Sequence, residues 1–248
     1  MAPSELMQKS AAFKYDTIIT VKFPTTADDP RQSEFQVHRG LITHYSDYFR
    51  AALNKETFLE GKNGVIELEL NDLDPFTTFF AWLYQRAGNP ELESEHIDGI
   101  FDDHQNDNKE HRTKARIWLR DCVRDWVFGD MRQAPEFQNW AMSCMITALS
   151  GFNNFVFSVT AINYTYEHTM QGSMLRKLLV DSMGRYSRSL HQNFTRGNKS
   201  YVDDLPLEAT QEVLVAFMKK DPSWPGPISA PLIRDSYMVP VPDRTSMS

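Results

Sequence analysis

Cysteine is scarce in this sequence. Two occur in 248 residues, Cys122 and Cys144. That is too few for a disulfide framework, and each sits inside an apolar pattern of helical spacing. Reduced, buried thiols in a cytoplasmic or nuclear protein are the expectation, which strips meaning from the sequons at Asn163, Asn193 and Asn198. Positive charge is also short: 26 Lys and Arg against 33 Asp and Glu leave a formal net charge of −7. This balance argues against nucleic acid or an anionic membrane as the main partner. Long apolar runs are missing too. No window approaches the roughly 18 consecutive apolar residues of a membrane helix. The opening MAPSELMQKSAAF has no apolar core behind a basic patch, so no secretory signal is expected. There is no internal repeat, no heptad run and no nucleophile motif of the G-x-S-x-G kind.

What is present suffices for a core: 41% of the residues are hydrophobic, and the length allows one large domain, or a small one with an extension. YDTIITVKF (Tyr15–Phe23) is β-branched and alternating, and predicts a strand. TTADDPRQ is turn chemistry, and SEFQVH, with Phe35 and Val37 on one face, is the returning strand of a hairpin. From Arg39 the period changes to helical. Leu41, Tyr45, Tyr48, Phe49 and Ala52 recur, with Ser46 placed to cap a second short helix. GVIELEL (Gly64–Leu70) alternates again and predicts a half-buried strand. Asp74 then caps a helix with Pro75 at its first position, and Phe76, Phe79, Phe80, Leu83 and Tyr84 make one apolar stripe.

Residues 88–113 are polar and acidic, and predict an exposed loop. Order resumes in KARIWLRDCVRDWVFGD, a helix with Ile117, Trp118, Cys122, Trp126 and Val127 facing inward, and in APEFQNWAMSCMITALS. Three further helical patterns cover about 152–170, 173–192 and 206–220. The last 27 residues carry six prolines, from Pro222 to Pro242, and are expected to be disordered.

The order hairpin, helical pair, strand, helix, loop, helical pair, with these residues, resembles the BTB/POZ domain. The stretches that carry the likeness are YDTIITV, FQVHRGLITHYSDYFRAAL, FLEGKNGVIELELNDLDPFTTFFAWLYQRAG and WVFGDMRQAPEFQNWAM. They span residues 13–150, with 88–113 as an insertion. SMLRKLLVDSMGRYSR and DDLPLEATQEVLVAFMK are similar to a helical extension seen in BTB proteins of filamentous fungi. The resemblance implies an α+β fold, a small sheet flanked by a helical cluster, followed by an all-α extension. The chain then divides into an N-terminal segment 1–12, a BTB/POZ domain 13–150, an extension 151–220 and a Pro-rich tail 221–248.

Residues with chemical potential are weighed against plainer roles. A general base needs a nucleophile and an orienting group within reach. His38 ends an inward-facing strand with neither in evidence, so packing and hydrogen bonding at the strand–helix junction is its expected role. By the resemblance, Arg39 lies near Asp16 at a dimer interface, a pairing that sets register more than it stabilises. His96, Asp98, Asp102, Asp103, His104 and His111 could be drawn together on paper, but lack the thiolates or i, i+4 pair of a zinc site. DDHQNDNKE lacks the Gly and the closing Glu of a calcium loop. No metal, cofactor or catalytic residue is expected.

ETFLEGK is the most informative stretch. By the resemblance, Phe58-Leu59-Glu60 falls where BTB domains carry, between the third helix and the following strand, a hydrophobic-x-Glu motif that contacts a cullin scaffold. An exposed aromatic anchors in a pocket and the carboxylate adds a directed contact. The plainer role is that Phe58 caps the core and Glu60 is a surface charge. Tyr45, Tyr48 and Phe49 form a stripe whose equivalents contribute to BTB dimers; core packing is its other use. The expected function is a protein–protein interaction module, not an enzyme, with protein partners, no nucleic acid and no membrane. The leading role is substrate adaptor of a cullin-type ubiquitin ligase. The alternative is a self-associating (homodimeric) scaffold or transcription-linked regulator.

Overall fold

The computed structural model describes residues 17–25, 33–54, 59–88, 109–151, 157–185, 204–219 and 235–242. The first alternation forms β1 (Ile18–Lys22), paired antiparallel with β2 (Glu34–His38). Ile19 lies opposite Val37 and Val21 opposite Phe35. Strand side chains alternate between faces, so these four share one face, and all four are buried. At Arg39 the chain turns helical: α1 (Arg39–Tyr45) and α2 (Asp47–Ala52) are separated by Ser46 in an extended conformation. The Ser46 hydroxyl accepts from the Phe49 N–H at 3.2 Å, the capping role expected of it.

The short helix α3 (Leu59–Asn63) leads through Gly64, at φ +65°, into β3 (Val65–Glu67). That left-handed turn suits a residue without a Cβ. β3 pairs parallel with β1, Val21 opposite Ile66, giving the strand order β2–β1–β3. Parallel neighbours need a crossover, and here β2 and the three short helices supply it. The strand expected as far as Leu70 stops at Glu67. Leu70–Asp72 is a 3₁₀ turn instead, since Asn71 and Asp72 favour turn backbone. Helix α4 (Leu73–Gly88) starts one residue before the expected cap, so Asp74 and Pro75 lie inside its first turn. Pro75 is tolerated there because first-turn N–H groups have no intrahelical acceptor.

The remaining elements are helical: α5 (Lys109–Met131), α6 (Pro135–Gly151), α7 (Val159–His168), α8 (Met174–Arg185) and α9 (Leu207–Lys219), then a 3₁₀ turn at Asp235–Tyr237. The fold is α+β. Three expectations need correction. Gly88 and residues 109–113, assigned to the acidic loop, belong to α4 and α5; residues 89–108 lie outside the described residues. Ile117 is 49% exposed. The buried stripe of α5 runs through Ala115, Leu119, Cys122, Val123 and Trp126, and Ile117, two positions from Ala115, falls on the other side. Residues 235–242 of the proline-rich tail are ordered. Tyr237 is buried and donates to an Asp181 carboxylate oxygen at 2.6 Å. The Asn139 amide clamps Val239 by both its N–H, at 2.7 Å, and its C=O, at 2.9 Å.

The chain forms two compact units. The first comprises the described residues of Met1–Glu93, Phe128–Gln138 and Pro240–Ser248; the second comprises those of Ser94–Val127 and Asn139–Val239. The division is interleaved, cutting α5 after Val127 and α6 after Gln138, where the sequence reading places one boundary near residue 150. The first unit's core is aromatic. Phe79 stacks on Phe49 and Trp82, and meets Phe137 with ring centroids 5.0 Å apart. The second unit's core is mainly aliphatic side chains and methionines of α5 to α8, joined by Trp126, Phe157, Ala209 and Tyr237, with both free thiols inside it.

Candidate protein-interaction site

The His38-Arg39 pair sits where β2 becomes α1. His38 is the N-cap of α1 but its side chain makes no cap bond. Its ring nitrogen Nδ1 instead lies 2.9 Å from the Tyr84 hydroxyl, which also accepts from the His38 backbone N–H at 3.3 Å. Arg39 donates from its guanidinium to the Leu53 carbonyl at 2.8 Å and from its backbone N–H to the Thr17 carbonyl at 2.8 Å. Arg39 thus ties the end of α2 to the start of α1. Asp16, its expected partner, lies outside the described residues.

The aromatic stripe divides. Phe49 is fully buried, and Tyr45 is buried against Trp82, ring centroids 5.0 Å apart. Both are core residues of this chain. Tyr48 is half-buried, and its ring carries the Arg132 guanidinium 4.5 Å above it. Arg132 belongs to the turn between α5 and α6. The same guanidinium pairs with Asp72, its backbone carbonyl accepts from the Ser46 hydroxyl, and the next carbonyl, of Gln133, accepts from the Asp47 N–H at 3.2 Å. Gln133 takes φ +50° to make that turn. The turn therefore clamps the start of α2, and Phe128 and Phe137 on either side of it enter the first unit's core.

Sequence reasoning missed this clamp. Arg132 and Asp72 are 60 positions apart, and neither carries a local signal of pairing. The one legible sign was the WVFGDMRQAPEF stretch, which contains Arg132 between its two buried phenylalanines.

Glu60 is exposed in the first turn of α3, and its backbone carbonyl accepts from the Gly64 N–H at 2.8 Å. A carboxylate in a helix's first turn is favoured by the unpaired N–H groups there. Phe58 lies outside the described residues, as do His96, Asp98, Asp102, Asp103 and His104. His111 falls within α5.

In the second unit a shallow recess of about 370 Å³ lies between α7 and the start of α9. Asn163, Tyr166, Glu167, Asp204 and Glu208 line it. Beside it Arg176, buried, is held by the Thr169 hydroxyl at 3.0 Å, the Tyr166 carbonyl at 3.1 Å and Glu208 at 2.7 Å. The Tyr166 hydroxyl donates to Glu212 at 2.6 Å. Burial, and then that bond, push its proton affinity well above the usual tyrosine range. Burial likewise pushes the Cys122 thiol up, next to Cys144, so Cys122 is held as an inert thiol.

Among the described residues no group of three or more His, Cys, Asp and Glu is placed to hold a metal ion, and no helix is long and apolar enough to cross a membrane. No model of a known protein family matches the chain, and no curated protein matches it significantly.

Proposed function

We propose that the chain is a protein-interaction module of the BTB/POZ type, acting in the cytoplasm or nucleus as substrate adaptor for a cullin-type ubiquitin ligase. Residues 58–60 form the scaffold contact, and the helices beyond residue 151 serve as an extension. The reading assigns the chain no catalytic step.

The observation that carries it is the exposed Glu60 carboxylate at the start of α3, directly after Phe58 and Leu59 in sequence. It is supported by the order hairpin, α1–α2, α3, β3 beside β1, α4, which is the order the resemblance implies. The His38-Arg39 pair fits the same reading: both side chains are spent on neighbouring helices, as architecture requires, and not on a nucleophile.

The test is a titration of the purified chain against the N-terminal domain of its host's BTB-binding cullin. The expected result is sub-micromolar binding, weakened at least roughly tenfold in a folded Phe58→Ala, Glu60→Ala double variant. A folded wild-type chain that does not bind refutes the adaptor role.

A further inference from the structure

Residues 236–239 are held by the second unit the way a peptide is held. The Asn139 amide of α6 accepts from the Val239 N–H at 2.7 Å and donates to the Val239 C=O at 2.9 Å. An antiparallel strand exchanges that same pair of bonds with one residue, so a side chain here reads the backbone in place of a strand. Nearby the Tyr237 ring, 2% exposed, enters the second unit's core. Its hydroxyl donates to Asp181 at 2.6 Å, and the Lys177 ammonium lies 4.1 Å from the ring centroid. Lys177 and Asp181 are one turn apart on α8 and pair at 3.6 Å. The Lys177 ammonium also reaches the Ser236 carbonyl at 3.5 Å.

The sequence shapes this segment for docking. Pro240 follows Val239, and Pro242 follows Val241. A residue before proline is pushed out of the helical region into extended backbone. Val239 is therefore preset to present its N–H and C=O to one partner, and less order is lost when it binds. The prolines also lack the N–H groups that a continuing ladder would need. The grip in the second unit is local as a result: one clamped backbone residue and one buried ring. A segment held at so few points opens locally at less cost than the helices beneath it.

We propose that Asn139 of α6 and Lys177 and Asp181 of α8 form a peptide-docking site, which the chain's own residues 236–239 occupy reversibly in cis. The contacts define the peptide class. It carries a tyrosine, whose ring enters the core and whose hydroxyl meets Asp181, and two positions later an extended residue for the Asn139 clamp. A segment of the same chemistry in another chain gains the site only by displacing the tail, so the tail acts as its competitor. The site lies in the second unit and does not rest on the cullin reading.

The test uses the full chain with its own segment disabled by Tyr237→Ala and Val239→Pro, the second change removing the clamped N–H. The probe is a labelled synthetic peptide of residues 233–242, read by fluorescence anisotropy. The variant, shown folded by circular dichroism, should bind it with a Kd between about 10 and about 300 μM, the range of a small contact. The wild type should bind at least roughly tenfold more weakly, because its own segment fills the site. Adding Asn139→Ala to the variant, or using a peptide that carries Tyr237→Ala, should each weaken binding at least roughly fivefold. No binding by the folded variant up to about 300 μM overturns the proposal, and so does equal binding by variant and wild type. Hydrogen exchange of the wild type tests reversibility without any substitution. The Val239 amide should exchange at least roughly tenfold faster than the slowest amides of α8. Equal rates would make the segment a fixed part of the core and overturn the proposal as well.

Discussion

The first unit buries rings and the second buries a charge. In the first, Phe23, Phe35, Phe49, Phe76, Phe79, Trp82, Phe128 and Phe137 meet mostly edge to face or tilted, the geometry that aromatic quadrupoles favour. Its polar anchors are the fully buried Ser46 and, at the margin of that core, the Arg132–Asp72 pair. In the second, aliphatic side chains and methionines fill most of the interior beside Trp126, Phe157 and Tyr237, and Arg176 is taken in with acceptors around it. The difference teaches where each unit is vulnerable. An aromatic core fails by losing volume, whereas a buried cation fails by leaving its partners without a donor.

The sharpest way to break the comparison is Phe79→Ala. Phe79 is fully buried among five rings, and its truncation should cost about 4 kcal/mol. Hydrogen exchange should show the loss in β1, β2 and α4. A cost under about 1 kcal/mol would mean that the aromatic cluster is not the unit's structural centre. Next comes Arg176→Met, which keeps an unbranched apolar stem and removes the guanidinium and its charge. It should cost about 3 kcal/mol, read as lost protection in α7, α8 and α9; the figure is held down because Glu208 is about half exposed. Adding Glu208→Gln and Glu212→Gln should recover part of it, and no recovery would show that packing matters more than charge.

Smaller effects sharpen the picture at the margins. Ser46→Ala removes a helix cap and a donor to the Arg132 carbonyl, and should cost about 1 kcal/mol in denaturant titration. Lys22→Gln removes an exposed pair with Glu34 across the β1–β2 ladder. It should leave the melting temperature unchanged within error; a clear drop would give the sheet's outer face a role it lacks in this account.

Much of the first unit was legible because its signals are local. The alternation Ile19-x-Val21 and Phe35-x-Val37, the serine at position 46 and the stripe of α4 each announce one element. What escaped depends on distant partners or on which side of a helix meets the core. The Arg132–Asp72 clamp joins residues far apart in sequence. Ile117 looked like core because it is apolar, but the inward side of α5 is set by Ala115 and Leu119. The ordered 235–242 segment was hidden by its prolines. They forbid helix and sheet interior, yet they do not prevent Tyr237 from finding a cavity and Asp181. For the site, the sequence marks Glu60 and the His38-Arg39 junction, while the hydrogen bonds that commit the latter to architecture appear only in three dimensions.

The most direct test of the central claim, an interaction module whose contact lies at α3, is hydrogen exchange of the whole chain with and without saturating cullin N-terminal domain. The account predicts added protection over residues 58–63 and none in α9. Unchanged exchange throughout the chain, or protection confined to the second unit, would contradict it.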